Sequence, residues 1–383
     1  MVRGHIEQRY KTTFTIILDL GRDASGKRKR IAKSFKGSKR EAEAEMLRMI
    51  AEYEKGQYIK PSRITTAEFL DRWLSTARHA VSPKTAERYA DYIKAAVSAL
   101  GSIRLQELNP IHLEEFYDQL RNSGLSARTI LHHHRVLHTA LNAAVNYRLL
   151  AENPADRAQP PKPEPPEMQI LTQEQLAELI WDARNSKYFP LLYLAAYTGM
   201  RRGELLALRW QDIDWQTATI SIRQTLQQTK DGLFFKEAKN RSSRRRIAIS
   251  DSTISVLRKH RKDQARERLK HASSYNDQGL VFCQPNGDPL KPDTVSTWFY
   301  KFQRSRKKEP CVRFHDLRHT HASLLLLAGW NPKVVQERLG HSSISTTMDI
   351  YSHILPSLHQ SAAASLDAII KPMSPDPESD RKK

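Results

Sequence analysis

The side chains best suited to chemistry lie close together in the last third of the chain, between residues 314 and 353. His315 and Arg318 are three residues apart, His341 follows a glycine, and Tyr351 comes ten residues after His341. A guanidinium can hold a phosphate group with two parallel hydrogen bonds, and an imidazole exchanges protons near neutral pH. A phenol, with an ordinary pKa of about 10, needs electrostatic help to act as a nucleophile. The segment therefore combines a cation, proton-transfer groups and a possible nucleophile.

A second candidate segment lies upstream and reads Thr198-Gly199-Met200-Arg201-Arg202. Glu204 follows Arg201 by three residues, so on a helix the two side chains would share a face and the carboxylate could orient the guanidinium. An ordinary surface ion pair is the alternative interpretation. On chemistry alone, Arg202 is as good a candidate as Arg201.

Taken in order, the pattern is Arg, Lys, His-x-x-Arg, Gly-His and Tyr. It resembles the active site of the tyrosine recombinases, the phage-integrase family of site-specific DNA strand-exchange enzymes. The Thr-Gly-x-Arg part of the pattern selects Arg201 rather than Arg202. The resemblance covers most of the chain and implies a site-specific integrase of phage or conjugative-transposon type, acting in DNA integration and recombination of a mobile element.

The resemblance implies a role for each residue of the pattern. Tyr351 would attack the DNA backbone and form a 3′-phosphotyrosine ester. Arg201 and Arg318 would stabilise the extra negative charge of the phosphorane transition state. His315 would bond the phosphate or exchange the tyrosine proton, and His341 would hold a second non-bridging oxygen.

In the family, a lysine on the turn between two strands protonates the departing 5′ oxygen. Lys239 precedes Asn240-Arg241-Ser242-Ser243-Arg244-Arg245, which resembles the corresponding Lys-x-x-x-Ser-Arg-Arg region. Lys236 is the alternative general acid. Arg244 and Arg245 are expected to contact DNA phosphates.

Two groups of histidines could suggest zinc instead. His315 and His319 would share a helical face, but no Glu follows His315 in a His-Glu-x-x-His order, and Arg318 would repel a cation. The run His132-His133-His134 lies in a predicted helix, where neighbouring side chains point in different directions. We expect no metal site and no cofactor.

Composition limits the class of protein. A chain of 383 residues exceeds what one hydrophobic core usually holds, so two or three domains are expected. The formal net charge of +20 favours a polyanionic partner. No apolar run approaches the roughly 18 residues that span a bilayer, and the N-terminus does not resemble a signal peptide. The two cysteines, Cys283 and Cys311, are expected to be reduced and buried in a cytoplasmic, nucleoid-associated protein.

Residues 1–60 are predicted to form a small domain. Strands at Thr12–Leu20 and Lys27–Phe35 precede a helix that begins with the capping-box pattern Ser38-Lys39-Arg40-Glu41. The unit resembles the arm-site-binding domain of many integrases, and a solvated α/β domain is the alternative. The cations expected to contact DNA are Lys27, Arg28, Lys29, Arg30 and Lys33.

The remaining chain is predicted to be mainly α-helical and multidomain. Residues 64–152 resemble the four-helix, SAM-like core-binding domain, and residues 153–168 form a proline-rich extended linker. Residues 169–370 form a mostly helical catalytic domain with one small antiparallel sheet. The tail 371–383 is predicted to be disordered.

The family resemblance also implies partners. These are double-stranded DNA at core sites and arm sites, a homotetramer on DNA, an excisionase and a DNA-bending host protein, with no membrane involved. The amphipathic segment Leu358–Ile370 would dock into a neighbouring subunit, or else pack on its own domain. Two alternative functions are a type IB topoisomerase and a catalytically inactive DNA-binding regulator.

Overall fold

The computed structural model of the protein describes residues 2–22, 26–54, 58–164, 169–237 and 244–350. The chain divides into two compact units, Met1–Pro165 and Pro166–Lys383, and the division falls within the proline-rich segment. The sheet-and-helix part and the four-helix part lie in the same unit, but each has its own hydrophobic core. None of the helices in the described residues is long and apolar enough to cross a membrane.

The N-terminal part is a three-stranded antiparallel sheet with one helix. Its elements are β1 (Arg3–Tyr10), β2 (Thr13–Arg22), β3 (Arg28–Lys36) and α1 (Lys39–Glu54), with β2 in the centre of the sheet. Ile16 and Leu18 of β2 are buried against Met49 of α1. The predicted capping box is confirmed, because the Ser38 amide donates to Glu41 Oε2 at 2.7 Å. The sequence did not reveal β1, because most of its residues are polar and exposed.

Four helices form the rest of the first unit, as predicted. They are α2 (Thr66–Ala80), α3 (Pro83–Leu100), α4 (Pro110–Asn122) and α5 (Ala127–Asn146). The predicted starts of α3, α4 and α5 are confirmed by side-chain caps from Ser82, Asn109 and Ser126. Each of these residues accepts a hydrogen bond from a backbone N–H that the helix itself leaves unpaired.

The histidine run lies in α5 and takes part in packing. His133 is buried and meets Phe116 edge-on, with ring centroids 5.8 Å apart. The Tyr117 hydroxyl and His134 Nδ1 form a hydrogen bond of 2.8 Å. Both imidazoles therefore contribute to the core of the four-helix part.

The first part of the predicted linker is folded rather than extended. Residues Pro154–Asp156 form a 3-10 turn, and Ala155 and Ala158 join the core of the four-helix part. Asn153 Nδ2 donates to the His138 carbonyl at 3.1 Å. Proline density prevents an α-helix, but a single turn starting at a proline needs no N–H from that residue. Residues 165–168 lie outside the described part of the chain.

The second unit is mostly helical, as predicted. Its helices are α6 (Gln173–Asp182), α7 (Phe189–Thr198), α8 (Arg202–Ala207), α9 (Asp251–His271), α10 (Pro292–Arg306), α11 (Asp316–Leu327) and α12 (Pro332–Leu339). Residues 345–350 are also helical. Its strands are β4 (Ile213–Asp214), β5 (Thr219–Ile222), β6 (Gln224–Thr229), β7 (Gly232–Glu237) and β8 (Arg245–Ala248).

The predicted small antiparallel sheet of this unit is present, but its described strands are divided between two sheets. Strands β4, β5 and β8 pair in that order, and β6 and β7 form a separate antiparallel hairpin. Ile220 and Ile222 of β5 face the core together with Ile247 of β8. Burial of these three side chains places β8 beside β5 rather than beside the hairpin.

The two cysteines of this unit are less buried than predicted. Cys283 and Cys311 are free thiols, and each is partly exposed. Both lie outside the helices and strands named above, next to the core residues Phe282 and Val312.

Helix α7 is apolar on nearly all sides and runs through the core of the second unit. It ends at Gly199, whose φ is +63°. A Cβ at Gly199 would lie 2.6 Å from Leu339 Cδ2 and 2.7 Å from His321 Cδ2. Only glycine combines this left-handed backbone with such close approach. The turn after α7 is thereby packed directly against α11 and α12.

Candidate active site

Arg318, in α11, is almost completely buried, with 3% of the residue exposed. Its Nη1 donates to the carbonyl oxygen of Gly199 at 2.9 Å, and its Nη2 donates to that of Leu339 at 2.8 Å. Gly199 follows α7, and Leu339 is the last residue of α12. One guanidinium therefore ties three helices together. Its partners are neutral carbonyls, which orient the cation without neutralising it.

Arg201 occupies the N-cap position of α8. Its Nη1 donates to Glu204 Oε1 at 2.9 Å, and its Nη2 donates to the Gly340 carbonyl oxygen at 3.0 Å. Gly340 adjoins Leu339, so consecutive carbonyls of one turn hold the guanidiniums of Arg201 and Arg318. The side chain of Arg201 is 39% exposed, which leaves part of its guanidinium open to solvent.

Glu204 is the shared partner of two arginines. Its two carboxylate oxygens accept hydrogen bonds from Arg245 Nη1 and Nη2, at 3.0 and 2.8 Å. Burial by itself raises the pKa of Glu204, but the hydrogen bonds and charge of Arg245, with the charge of Arg201, lower it to about 2. Glu204 is therefore ionised at every pH at which the protein would normally work.

The structure gives Arg245 a different place from the one that we expected. Its side chain is 7% exposed, and its Nε donates to the carbonyl oxygen of Arg338 at 2.8 Å. With Nη1 and Nη2 bonded to Glu204, the guanidinium is not presented to DNA. Arg244, the neighbouring residue, is 65% exposed and lies 3.6 Å from Glu237 Oε2. Strand alternation explains the difference, because consecutive side chains point to opposite faces.

This group of side chains has excess positive charge. Three guanidiniums (Arg201, Arg245 and Arg318) are grouped around the single carboxylate of Glu204, which leaves two positive charges. Burial lowers the pKa of Arg318 to about 9, and the charge of Arg201 adds to that effect. Buried charge is costly unless an anion compensates it. The arrangement therefore favours binding of an anion.

His341 follows the turn that holds both arginines and is 8% exposed. Its Nδ1 and the Thr347 hydroxyl form a hydrogen bond of 2.9 Å, and its carbonyl oxygen accepts from Gln336 Nε2 at 3.1 Å. Burial and the charges of Arg318 and Arg201 lower the pKa of His341 to about 3. The sequence did not indicate Gln336 or Thr347, because the turn that brings them to His341 has no helical periodicity.

His315 directly precedes α11 at the N-cap position. Its ring meets that of His319 edge-on, with centroids 5.3 Å apart. Although the residue as a whole is exposed, burial of part of the imidazole lowers the pKa of His315 to about 4. The neighbouring His319 and Arg318 lower it further. His315 is therefore a neutral imidazole near pH 7 in the free protein.

His321 and Arg338 support the site from behind. Arg338 Nε donates to His321 Nε2 at 3.2 Å, so His321 carries its proton on Nδ1 and donates it to the Ala196 carbonyl oxygen at 2.9 Å. Burial lowers the pKa of His321 to about 4. Arg338 Nη2 also donates to the Tyr197 carbonyl oxygen at 3.1 Å. These contacts fix α12 against the end of α7.

Arg202, the competing candidate, lies elsewhere. Its Nη1 donates to the Pro292 carbonyl oxygen at 2.9 Å and to the Ser296 hydroxyl, both in α10. Its guanidinium therefore joins α8 to α10, whereas that of Arg201 lies with Glu204.

Two predicted catalytic residues, Lys239 and Tyr351, lie outside the described residues. Lys236 is described and lies in β7 directly opposite Thr225 of β6. Gly203 lies in α8, and a Cβ added to it would be 2.4 Å from the Thr225 hydroxyl oxygen. The face of the hairpin that carries Thr225 therefore packs against α8. Side chains directly opposite in an antiparallel pair share a face. Lys236 is therefore on the hairpin face that meets α8.

The predicted DNA-contacting cations of the N-terminal sheet divide between its two faces. Lys33 faces α1, where its Nζ lies 2.7 Å from Glu45 Oε1. Arg30 is on the opposite face, 3.6 Å from Asp19 Oδ2. Arg28 shares that open face by strand alternation, Lys29 is on the α1 side of β3 but exposed, and Lys27 is exposed just before the strand.

Comparison with known protein families matches two parts of the chain. Residues 169–357 match the phage integrase family, and residues 65–121 match the phage integrase N-terminal SAM-like domain. A tyrosine recombinase XerC-like protein of Caldanaerobacter subterraneus subsp. tengcongensis is 30% identical over 379 residues, covering 93% of this chain and 96% of the relative. The ICEBs1 integrase of Bacillus subtilis is 26% identical, covering 70% of this chain and 72% of the relative.

Solved structures show the same fold. The Tn1549 transposon integrase in complex with transposon right end DNA has a TM-score of 0.68 at 21% identity, over 80% of this chain and 99% of that chain. A lambda integrase tetramer bound to a Holliday junction has a TM-score of 0.57 at 20% identity, over 90% and 94%.

The chain belongs to the phage integrase family of tyrosine recombinases. It is an enzyme that cleaves and rejoins DNA in site-specific recombination of the integrase type.

Proposed function

We propose that this recombinase integrates and excises a mobile element through a 3′-phosphotyrosine intermediate formed on Tyr351. The observation that carries the proposal is the turn at residues 339–341. Carbonyls of Leu339 and Gly340 hold the guanidiniums of Arg318 and Arg201, and His341 follows at once. Segments that are far apart in the sequence thus bring two guanidiniums and one imidazole together at this turn.

The positive charge of the arginine group matches the negative charge that develops when a phosphodiester is cleaved. A phosphodiester carries one negative charge, and its phosphorane transition state carries more on the non-bridging oxygens. The two excess positive charges of the arginine group are fixed before the substrate binds, so they need no rearrangement as charge develops. Such fixed guanidiniums supply the stabilisation that a metal ion would otherwise give. Cleavage should therefore persist in EDTA, and a strict need for Mg²⁺ would contradict the assignment.

The histidines have separate roles in this proposal. His341 uses Nδ1 for Thr347, so Nε2 would bond a non-bridging oxygen. His315 has a pKa of about 4 in the free protein, so it is neutral near pH 7 and has a ring nitrogen free for the Tyr351 proton. A bound phosphate would raise that pKa and favour the imidazolium.

The general acid is proposed to be Lys239, with Lys236 as the alternative. Protonation of the departing 5′ oxygen requires a group on the opposite side of the phosphate from the nucleophile. Lys236 lies on the hairpin face that touches α8, which supports this hairpin as the source of the acid. Replacing each lysine by Ala, with a 5′-phosphorothiolate substrate that needs no acid, would identify it. Only the variant that lacks the acid should be rescued.

Tyr351, the proposed nucleophile, directly follows a buried residue. Ile350 is 2% exposed and packs in a small cluster with Leu339 and Val335. The residue before Tyr351 is thus anchored to the helix that ends at the arginine-binding turn. This supports Tyr351 as the residue that reaches the phosphate.

A nicked suicide substrate tests the assignment, because the released strand diffuses away and traps the covalent complex. The wild-type protein should form an SDS-resistant adduct, and Tyr351→Phe should form none while binding the duplex normally. Tyr300→Phe is the matched control, since Tyr300 is 61% exposed on α10. An adduct in Tyr351→Phe would refute the nucleophile. A two-site assay separates recombination from the topoisomerase alternative, which would relax DNA without exchanging partners.

The proposed assembly is a homotetramer on two core sites, with the N-terminal sheet bound to arm sites. The lambda integrase tetramer on a Holliday junction, which shares the fold, supports this proposal. An excisionase and a DNA-bending host protein would control direction, and the enzyme would act on DNA in the cytoplasm. Segment Leu358–Ile370, outside the described residues, is proposed to dock into a neighbouring subunit. Truncation after Ser357 should weaken synapsis but preserve single-site binding.

A further inference from the structure

A second cationic pocket lies beside the arginine group, within the same unit. It has a volume of about 620 Å³, and five arginines and two carboxylates line it. Its walls come from the segment that follows α8, from β5 and β8, and from the ends of the hairpin strands β6 and β7. An arginine-rich cavity of this kind can receive a phosphate group.

Three of the arginines already have carboxylate partners. Arg245 bonds Glu204, Arg223 Nε lies 3.3 Å from Asp212 Oδ1, and Arg244 lies within an ion-pair distance of Glu237. These pairs hold much of the pocket in place and reduce its net charge. The ligand-binding capacity must therefore come from the other two arginines.

Arg209 is the first of these. The described residues contain no carboxylate in an ion pair with Arg209, and its Nε is buried without a hydrogen-bond acceptor. Its guanidinium carbon lies over the ring of Phe235, 5.6 Å from the ring centroid. A buried N–H donor without an acceptor costs free energy that a bound anion would recover. The side chain is thus oriented for a ligand that brings an acceptor.

Arg246 is the second. It lies in β8 opposite Ser221, on the sheet face that points away from the core, and it is exposed. Its charge is among the causes that lower the pKa of Asp214, after the backbone hydrogen bonds of that carboxylate. In the described part of the chain no carboxylate forms an ion pair with Arg246. A second guanidinium is therefore available at the edge of the pocket.

We propose that Arg209 and Arg246 bind a DNA backbone phosphate other than the scissile one. This inference rests on the proposed function, because it assumes that a duplex lies on Arg201. The buried Glu204–Arg245 pair links the pocket to Arg201, since Arg245 lines the pocket and Glu204 bonds Arg201. A duplex seated on the catalytic arginines would then present a neighbouring phosphate to the pocket. The second phosphate contact then fixes the register of the scissile phosphate.

The test is a scan of a core-site duplex in which single phosphates are replaced by neutral methylphosphonates. Full-length wild-type protein should lose affinity at one or two positions outside the cleavage site, and Arg209→Gln should be insensitive at those same positions. The slope of log affinity against log salt should also fall by about 0.9 for each phosphate that the variant no longer binds. Arg266→Gln is the control, because Arg266 is 76% exposed and already pairs with Asp263 at 3.2 Å.

Arg246→Gln provides a second variant whose side chain is exposed, so its result stands even if Arg209→Gln lowers the thermal unfolding midpoint. Identical scans for the wild type and both variants would overturn the inference. If the pocket holds free phosphate instead, inorganic phosphate would raise the unfolding midpoint of the wild type but not of Arg209→Gln, and the scans would agree; that too would overturn it. Failure of the proposed function is distinguishable, because the wild type itself would then trap no covalent complex.

Discussion

Arginines do different work in the two units of this protein. In the second unit, Arg318 is 3% exposed and its guanidinium is fixed by two carbonyl oxygens. In the first unit, the side chain of Arg30 is 49% exposed and lies 3.6 Å from Asp19, itself partly exposed. The first cation is held in one orientation in a dry environment. The second remains hydrated and can change partners.

This contrast explains why the net charge of the chain does not identify the catalytic cations. Water screens an exposed cation, so it attracts DNA at long range with little geometric demand. A buried guanidinium interacts strongly with whatever charge develops beside it, because fewer water molecules compete. Burial and fixed partners therefore distinguish a cation that stabilises a transition state from one that only attracts a polyanion.

Arg318→Ala should have the largest effect. We expect the rate of covalent-complex formation on pre-bound suicide substrate to fall by about 10²–10³-fold or more, since the charge stabilises mainly the transition state. Arg30→Ala is the matched change in the first unit and should leave this rate unaltered. Arg318→Lys keeps the charge but loses the fork of donors, so its rate should also be low. Equal rates for Arg318→Ala and the wild type would remove the distinction between the two units.

Glu204→Gln should destabilise the second unit. It leaves the buried Arg245 without a charge partner, and breaking a buried pair in this way costs about 3–5 kcal/mol. Urea unfolding followed by far-UV circular dichroism measures the change, because residues 1–60 contain no tryptophan. Glu45→Gln is the counterpart in the first unit, where the partners Lys33 and Arg48 are substantially exposed, and it should shift the midpoint much less. Equal shifts would show that burial does not separate the two networks.

The second unit and the sheet-and-helix part of the first unit should also differ in their pH dependence. His321 and His341 have pKa values of about 4 and about 3 when folded, below the ordinary 6.5. As the pH falls, these histidines bind protons in the unfolded chain at a higher pH than in the folded protein. The free energy of unfolding that they contribute is therefore complete above pH 6.5 and decreases as the pH falls towards the pKa values of the folded protein. Glu45, whose pKa the Arg48 hydrogen bonds lower to about 2, loses its contribution only as the pH falls below 4.5.

Urea midpoints measured from about pH 7 to about pH 5 test this, since only the histidines titrate in that window. The second unit should become less stable as the pH falls, and His321→Gln should make this dependence shallower, because His341 and other buried histidines still titrate. A wild-type midpoint that stays constant across the window would contradict the assignment of neutral, buried imidazoles.

The smallest effect is expected from the open face of the N-terminal sheet. Replacing Arg28 and Arg30 by Gln should weaken binding to arm DNA and reduce the salt slope by about 0.9 for each phosphate that is no longer neutralised, while cleavage at the core site is unchanged. Lys33→Gln is the control, because Lys33 faces α1 and pairs with Glu45. A larger loss of affinity for Lys33→Gln than for the double variant would show that DNA binds on the side of α1 and not on the open face.

Local features of this protein were readable from its sequence. The caps at Ser38, Ser82, Asn109 and Ser126 each need only a side-chain oxygen a few bonds from a helix start, so their positions were predictable. The pairing of Arg201 with Glu204 has the three-residue spacing of a capping box, in which Glu204 at the third helical position also accepts from the Arg201 amide. These interactions lie within a turn of chain, and the sequence determines them directly.

Only the tertiary structure decided what Arg245 and Arg318 do. In sequence, Arg245 is one of three consecutive arginines, and only strand alternation together with the position of β8 beside β5 turns it towards Glu204. Arg318 depends on carbonyls of Gly199 and Leu339, which carry no side-chain signature. Backbone oxygens are present at every residue, so no pattern of residue types indicates which of them will bind a cation. Packing of α7, α11 and α12 makes that choice.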